Sequence, residues 1–410
     1  MSILLAVALT LAGAAHAHEG RVVDAATGFA IPNATVGQGP TVSFSDAGGR
    51  FRTTAPGPTI RARAPGYRGV EIPAAALPDG GEVRLTPFAP KALYLSFYGV
   101  GDRTLRGAAL DLIRDTALNA LVIDIKGDRG LIAYPSEVAL ASEVGARHTT
   151  TIRDLPALVK DLHDRGVYVI ARIVVFKDDP LATARPALAV KDTNGALFRD
   201  REGLGWTDPF QREVWSYNID IAVEAARAGF DEIQFDYVRF PDNGHMRFAE
   251  PNTRVSRTRA IDGFLAEARR RLRPYNAFLA VDVFGYVCWN LDDTQIGQQL
   301  EDIVQLVDYV SPMLYPSGFQ FGIPGCRDPV ANPYEIVRRS LDKARERTGV
   351  ASARFRPWLQ AFKDYAFDRR QFDADDVQAQ IHAAEDFGAN GWMLWNPRNV
   401  YSNIGLRPLD

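Results

Sequence analysis

The segment DEIQFDYVRFPDNG, residues 231–244, combines the pattern of a β-strand with a charge inside it. Ile233 and Phe235 alternate with Gln234, which is the period-two pattern of a strand. Asp236 then occupies the next polar position, just before Arg239 and Pro241. A carboxylate in a buried strand is costly unless it is paired or used chemically. Whether Asp236 is paired or used chemically depends on the kind of sheet that contains this strand.

The composition is that of an ordinary soluble chain. With 410 residues, of which 46% are hydrophobic and 24% charged, the chain can bury one large core and a smaller one. The net charge is −3 and no run of Lys and Arg follows the spacing of a phosphate backbone, so nucleic acid is not an expected partner. The six histidines show no paired ligand spacing, and we expect neither a metal nor a cofactor.

The first 17 residues, MSILLAVALTLAGAAHA, predict a secretory signal peptide. They contain no charged side chain, and an apolar stretch runs from Ile3 to Leu11. Ala15-His16-Ala17 precedes a polar segment, which predicts cleavage after Ala17 and a periplasmic or secreted protein. The apolar stretch is too short for a membrane anchor, so no membrane span is expected. A buried N-terminal strand is the alternative interpretation.

Residues 18–88 show the pattern of a small all-β sandwich. Short alternating runs such as GRVVDA, TVSFSD and TIRARA are separated by Gly, Pro and Asp. The runs GRVVDAATGFAIPNATV, SDAGGRF and APGY resemble the carboxypeptidase regulatory-like (transthyretin-like) domain. The matching polar residues, such as Asp24 and Asp46, fall at turns. The resemblance therefore implies a spacer or adhesive role without chemistry.

Residues 91–410 alternate strand-like and helix-like segments. The eight strand-like runs are ALYLSFYG, ALVIDIKG, VYVIARIVVF, EIQFDYVRF, FLAVDVFG, YVSPMLYP, RPWLQAF and GWMLWN. Amphipathic helical stretches are predicted at residues 104–115, 152–165, 211–228, 257–273, 334–348 and 373–387. Eight such units predict the α/β class, a (β/α)8 TIM barrel preceded by the all-β sandwich. An open doubly wound sheet is the alternative, but no Gly-rich phosphate fingerprint follows the first strand.

Strand alternation predicts which side chains enter the barrel. It assigns five charged residues to the interior, in the later half of their strands: Asp124, Lys126, Arg172, Asp236 and Asp282. Catalytic groups of this fold lie at the carboxyl ends of the strands, although a buried ion network is the alternative. Six further residues are candidates for substrate binding at the same rim: Tyr98, Arg239, Tyr286, Tyr315, Gln360 and Trp395. Trp395 beside two carboxylates suits the apolar face of a sugar.

Asp236 and Asp282 are predicted on adjacent strands. Most glycoside hydrolases need two carboxyl groups that flank one bond. Neighbouring strands lie ~4.8 Å apart, so the two groups can approach the ~5–5.5 Å separation of a retaining pair. The sequence therefore favours glycoside hydrolysis with retention, acting on a polysaccharide or oligosaccharide.

The barrel resembles a secreted glycoside hydrolase family whose barrels look distantly like those of α-amylase and α-galactosidase. The matching motifs are VIDIKGDRG, VYVIARIVVFKDDPLA, QFDYVRFPD, VDVFGY, IGQ, DYVSPMLYPS, PYEIV, RPWLQAF and GWMLWNPRNVY. The resemblance implies that Asp236 is the nucleophile and Asp282 the general acid/base. Two other functions are the alternatives. One is a glycan-binding barrel without catalysis. The other is a metal-dependent deacetylase, which fits poorly because no His pair lies near an inward Asp.

The two cysteines predict one disulfide, with two unpaired buried thiols as the alternative. Cys288 follows the fifth strand and Cys326 lies in the loop after the sixth, so both belong to adjacent loops on one face of the barrel. An oxidising compartment would favour their pairing. The sequence predicts no oligomeric state.

Overall fold

The computed structural model describes residues 17–242, 245–401 and 405–406. The chain divides into two compact units, Met1–Pro87 and Phe88–Asp410. The predicted signal peptide lies outside the described residues, except for Ala17. Within the described ranges, no helix has the length and apolar character needed to cross a membrane.

The first unit consists of two small sheets with a shared apolar core. Their strand orders are β4-β1-β7 and β3-β2-β5-β6. The strands are β1 (Glu19–Asp24), β2 (Thr35–Gln38), β3 (Thr41–Phe44), β4 (Arg50–Arg52), β5 (Thr59–Arg63), β6 (Val70–Pro73) and β7 (Gly81–Leu85). Val22, Val36 and Ile60 are fully buried in this core. The Asp24 carboxylate accepts hydrogen bonds from the Thr27 amide at 2.9 Å and the Tyr67 hydroxyl at 2.9 Å, so this acid stabilises a turn.

The second unit is a closed barrel of eight parallel strands, in the order β8-β9-β10-β12-β14-β15-β16-β17 and back to β8. These strands are β8 (Lys91–Leu95), β9 (Ala120–Lys126), β10 (Tyr168–Val174), β12 (Glu232–Asp236), β14 (Phe278–Phe284), β15 (Tyr309–Met313), β16 (Trp358–Gln360) and β17 (Trp392–Trp395). Two-residue strands β11 (Lys191–Asp192) and β13 (Met246–Arg247) pair outside it. The predicted fold class, a (β/α)8 barrel after a small all-β unit, is confirmed.

Helices follow the barrel strands, and all six predicted helical stretches form. The helices are α1 (Phe97–Gly101), α2 (Arg103–Asp115), α3 (Ala139–Glu143), α4 (Leu155–Asp164), α5 (Asp179–Ala184), α6 (Arg212–Arg227), α7 (Arg254–Leu272), α8 (Leu300–Leu306), α9 (Pro333–Thr348) and α10 (Ala374–Phe387). α7 begins three residues before the predicted start because Thr253 and Ser256 form a reciprocal capping box there. α10 ends at Gly388, whose φ of 79° suits glycine.

A β-bulge in β9 turns Lys126 away from the barrel interior. Asp124 pairs with Arg172, but Lys126 pairs with the next residue of β10, Ile173, so β9 contains one extra residue at this point. The Lys126 ammonium lies 2.8 Å from Asp178 Oδ2 and 3.1 Å from Asn218 Oδ1 of α6. The predicted inward position of Lys126 is therefore wrong, because the bulge interrupts the alternation.

An ion pair lies at the amino-terminal end of the barrel strands. Glu232 begins β12, and its Oε2 lies 2.6 Å from Arg356 Nη1. The Tyr168 hydroxyl donates to Glu232 Oε2 at 3.1 Å, and the Arg356 guanidinium lies 4.1 Å from the centre of the Tyr309 ring. Burial raises the pKa of Glu232, which the charge of Arg356 opposes. Polar groups at this end of a TIM barrel serve stability.

The predicted disulfide is absent, since Cys288 and Cys326 are both free and buried. Cys288 belongs to the 3-10 turn Gly285–Cys288, and its side chain is fully buried in the barrel core. Cys326 ends a tight turn with Ile323, and its thiol contacts the carbonyl of Asp328 at 3.8 Å. The loops are neighbours in sequence order, but each thiol has its own surroundings. The disulfide prediction is corrected accordingly.

Candidate active site

A cleft of about 930 Å³ opens above the carboxyl ends of the barrel strands. Six residues predicted from the sequence line it: Arg172, Asp236, Arg239, Asp282, Tyr315 and Trp395. A smaller cavity of about 180 Å³ lies beside the cleft and is lined by Tyr98, Asp124 and again Trp395. Trp395 therefore borders both spaces.

Two other predicted substrate ligands lie away from the cleft surface. The Tyr286 hydroxyl donates to the Gly322 carbonyl at 3.0 Å and accepts from the Phe321 amide at 2.9 Å. Gln360 is fully buried, and its amide bonds both the backbone N–H and the hydroxyl of Ser317, at 3.0 and 2.7 Å. Both side chains bond the loop after β15, and neither is among the described residues that line the cleft.

Arg172 is the centre of the charged network. Its Nη1 lies 2.6 Å from Asp124 Oδ1, and its Nη2 lies 2.9 Å from Asp128 Oδ1 and 2.5 Å from Asp236 Oδ2. The guanidinium also lies 4.9 Å from the centre of the Trp395 ring. Burial opposes its charge, but the carboxylates of Asp124 and Asp236 raise the pKa of Arg172 well above its usual range. This cation therefore fixes the carboxylates around it.

Asp236 ends β12 as a tightly held carboxylate. Arg172 donates to its Oδ2 from both Nε, at 3.0 Å, and Nη2, while the backbone N–H of Tyr237 donates to Oδ1 at 2.5 Å. Tyr237 adopts a φ of 51°, a left-handed conformation that is uncommon for a bulky residue. Such backbone strain is typical of functional sites. It turns the chain so that its amide faces the carboxylate of Asp236.

Asp282 in β14 has the opposite electrostatic surroundings. Its Oδ1 accepts a hydrogen bond from Trp358 Nε1 at 2.8 Å, whereas its buried Oδ2 has no hydrogen-bond partner among the described residues. Burial, followed by the negative charge of Asp236, raises the pKa of Asp282 well above its usual range. Asp282 therefore holds a proton under conditions in which an exposed Asp would be ionised.

The two carboxyl groups share one side of Arg172. Asp236 Oδ2 lies 3.0 Å from Arg172 Nε, and Asp282 Oδ2 lies 4.0 Å from the same atom, so the two oxygens are at most about 7 Å apart. An Oδ2–Oδ2 distance within this limit is compatible with the ~5–5.5 Å separation of the carboxyl groups in retaining glycosidases.

Several site residues were missed in the sequence. The Tyr94 hydroxyl donates to Asp124 Oδ2 at 2.6 Å, and its ring stacks on Trp395 with centres 3.9 Å apart. Tyr94 occupies an inward position of β8, so strand alternation could have found it. Burial raises the pKa of Asp124 to about 6. Asp128, which lies in the loop after β9, offered no such periodic signal.

Gln298 is a third missed residue, although it belongs to the motif IGQ. Its Nε2 donates to the carbonyls of Val238 and Asp282, at 3.3 Å each, and its Oε1 accepts from the Phe284 amide at 2.9 Å. Gln298 thus ties the end of β12 to the end of β14. It fixes the relative position of the two strands that present Asp236 and Asp282.

A family model described as "putative glycosyl hydrolase domain" matches residues 92–401. The chain belongs to this glycosyl hydrolase family. The match covers the barrel from β8 to the segment after β17, and therefore all of the cleft residues discussed above.

The chain is also similar to several solved structures. A hypothetical protein from Ruminiclostridium thermocellum is 40% identical, covering 47% of this chain and 97% of that one, with a TM-score of 0.42. The glycoside hydrolase domain of PgaB (BpsB) from Bordetella bronchiseptica is 17% identical, covering 76% and 95%, with a TM-score of 0.55. A class V chitinase from Pseudomonas fluorescens is 13% identical, covering 77% and 98%, with a TM-score of 0.47. No curated protein matched the chain.

Proposed function

We propose that this protein is a glycoside hydrolase that cleaves O-glycosidic bonds of an extracellular or cell-envelope polysaccharide with retention of configuration. One observation carries the proposal: two neighbouring carboxyl groups of one cleft have different surroundings. Arg172 donates two hydrogen bonds to Asp236, whereas Asp282 is buried, with an Oδ2 that has no hydrogen-bond partner among the described residues and a pKa that burial raises well above its usual range. Retaining glycosidases need a combination of a carboxylate and a carboxylic acid.

The reaction proceeds in two steps. Asp282 donates its proton to the glycosidic oxygen while Asp236 attacks the anomeric carbon, so the leaving sugar departs as an alcohol and a glycosyl ester forms on Asp236. Asp282, now a carboxylate, takes a proton from water, and the resulting hydroxide oxygen attacks the same carbon. The ester bond breaks, the sugar is released with a new anomeric hydroxyl, and both carboxyl groups return to their starting states.

The charge on the cleft floor suits this chemistry. Arg172 provides one positive charge to the carboxylates of Asp124, Asp128 and Asp236, which leaves an excess of negative charge. Positive charge develops on the sugar ring in an oxocarbenium-like transition state. Fixed negative groups stabilise such a charge more in a desolvated site than in water.

The test measures the release of reducing ends from a panel of cell-envelope and extracellular glycans. We expect turnover by the wild type on at least one glycan and only background release by Asp236→Asn, because an amide fills the same space but cannot attack. Asp164→Asn, a change on the exposed face of α4, is the matched control and should retain wild-type rates. Binding by the wild type without any release of reducing ends would favour the alternative function, a non-catalytic glycan-binding barrel.

We also propose that the chain is exported and cleaved after Ala17, and that residues 18–88 form a carboxypeptidase regulatory-like spacer or adhesive module. The apolar stretch Ile3 to Leu11 and the turn-forming use of Asp24 support this proposal. N-terminal sequencing of protein from an envelope or secreted fraction should begin at His18. Recovery from the cytoplasm with Met1 retained would contradict export.

A further inference from the structure

Three cationic side chains at the rim of the cleft have no acidic partner. Arg239, Lys363 and Arg398 all line the cleft, and none forms an ion pair within the described part of the chain. Lys363 and Arg398 are exposed, and Arg239 is half-buried. Each therefore offers its charge to whatever occupies the cleft.

The acids that line the same cleft are already used. Asp128 and Asp236 pair with Arg172, at 2.9 and 2.5 Å. Glu202 lies 3.0 Å from the ammonium of the buried Lys177, which also lies 3.5 Å from Asp200 Oδ2. Asp282 is buried, and burial raises its pKa well above the usual range of an Asp. After these internal pairs are formed, the three rim cations remain available.

Arg239 is held in place before any ligand binds. Its guanidinium carbon lies 4.9 Å from the centre of the Trp206 ring and 5.1 Å from that of Tyr237. Its Nη1 donates to the Phe240 carbonyl at 3.0 Å. A guanidinium stacked on two rings loses little conformational freedom on binding, and its planar donors match a carboxylate or sulfate.

The topology places the rim cations on opposite walls of the cleft. Arg239 follows β12, whereas Lys363 follows β16 and Arg398 follows β17. β12 and β17 are four strands apart in a ring of eight and so face each other across the barrel mouth. A glycan chain that crosses the mouth between these walls meets positive charge on both walls.

Negative and positive charges also lie at different depths in the cleft. The floor around Arg172 carries excess negative charge, which suits the developing oxocarbenium ion, while the rim is positive. A neutral polysaccharide offers no group that would need three free cations at the rim. An anionic polysaccharide does, because each charge-assisted hydrogen bond to a carboxylate or sulfate stabilises the complex.

We propose that the substrate is an anionic polysaccharide whose acidic substituents bind Arg239, Lys363 and Arg398 on opposite walls of the cleft. This inference rests on the proposed function, because it names the class of glycan that the same cleft takes. The chemistry is shared by uronate carboxylates and sulfate esters, and the experiment below separates the two.

The experiment measures binding by calorimetry, using full-length Asp236→Asn protein so that the glycans are not cleaved. The probes are oligosaccharides of alginate, polygalacturonate and hyaluronan, each compared with its own carboxyl-reduced form, and dextran sulfate compared with dextran. We expect at least one acidic form to bind about tenfold or more tightly than its neutral counterpart, with the advantage falling as salt is added. Equal or tighter binding of every neutral form would overturn the inference. Preference for sulfate alone would assign the rim to sulfate esters.

Variants test whether the rim cations cause the preference. In the same Asp236→Asn background, Lys363→Gln with Arg398→Gln should remove most of it, and adding Arg239→Gln should remove the remainder. The matched control replaces Lys160, Arg165 and Arg270, which are exposed on helices or at their ends, by Gln and should keep the full preference. Retention of the full preference by a folded double variant and a folded triple variant would overturn the inference.

A hydrolysis assay with the wild type separates this inference from the proposed function. Turnover of neutral and acidic glycans at equal rates would retain the glycosidase and reject the anionic substrate. Rim-dependent binding of an acidic glycan without release of reducing ends would retain the anionic ligand and reject catalysis.

Discussion

At the scale of single residues, Arg172 determines how the two proposed catalytic carboxyls differ. It donates two hydrogen bonds to Asp236, but its Nε is 4.0 Å from Asp282. Asp236 therefore receives most of the stabilising charge, and its own negative charge in turn opposes ionisation of Asp282. One cation thus separates the roles of two chemically identical side chains.

We expect kcat/KM to fall along an alkaline limb as the pH rises. This limb reports loss of the proton from Asp282. Because burial and the charge of Asp236 raise the pKa of Asp282, activity should persist to pH values at which an ordinary Asp is ionised, and should fall as the pH rises through the pKa of Asp282. Initial rates of the wild type and of Asp282→Asn, measured at constant ionic strength, check this. Asp282→Asn should lose the alkaline limb and be least impaired with leaving groups that need no proton.

Trp358→Phe should move the alkaline limb to higher pH. The indole N–H of Trp358 donates to Asp282 Oδ1 and lowers its pKa by stabilising the ionised form. Removing the donor should raise the pKa of Asp282 further, while kcat on the acid side changes less. The same pH series measures the shift, and thermal unfolding records the accompanying loss of stability, about 1–3 kcal/mol. An unchanged alkaline limb would remove Trp358 from the positioning of Asp282.

At the scale of elements, the strand and helix periods of the sequence predicted the barrel correctly, and one local feature escaped them. Asp124, Arg172, Asp236 and Asp282 follow strict alternation and enter the interior as predicted. Ile125 does not disturb the apolar pattern of β9, so the bulge that redirects Lys126 has no signal in the sequence. The partners of Asp282 come from strands far apart in the chain, which periodicity cannot relate.

The same reasoning explains the wrong disulfide. Cys288 and Cys326 were related by the order of their loops, but a disulfide depends on side-chain direction as well as on loop order. Asp128 escaped prediction because loops have no period that assigns a direction to a side chain. The contacts of Arg172 with Asp124 and Asp128 thus required the structure.

The ion pair at the start of β12 gives a prediction about the stability of the barrel. Arg356→Met should lower the free energy of unfolding by about 3–5 kcal/mol near neutral pH, because Glu232 is left buried without its partner. Burial already raises the pKa of Glu232, so protonation relieves the unpaired charge and the loss should shrink as the pH is lowered through that pKa. Denaturant unfolding at several pH values measures this. Arg338→Met, which breaks a half-buried pair on α9, is the control and should cost less, because its partner Asp342 keeps access to solvent.

At the scale of the whole molecule, the residues of the proposed reaction belong to only one of the two units. The first unit has its own buried core, and its Asp24 stabilises a turn. Every residue of the proposed catalytic machinery belongs to the second unit. The barrel is closed by backbone pairing of β17 with β8 inside that unit.

A truncated protein that begins at Phe88 should therefore keep kcat on a soluble oligosaccharide within about twofold, because it retains the complete closed sheet. Steady-state rates and circular dichroism of the truncated and full-length proteins provide the comparison. A folded truncated barrel with a kcat reduced tenfold or more would show that the first unit contributes to catalysis.

Chemical labelling of a free, buried cysteine can report how often the barrel opens. Burial raises the pKa of Cys288 to about 12, so almost no thiolate exists at neutral pH, and the thiolate is the form that alkylating reagents attack. A reagent can reach this sulfur only after the surrounding strands and helices separate. The rate at which iodoacetamide labels Cys288 then measures how often the native molecule opens far enough to admit solvent to its core.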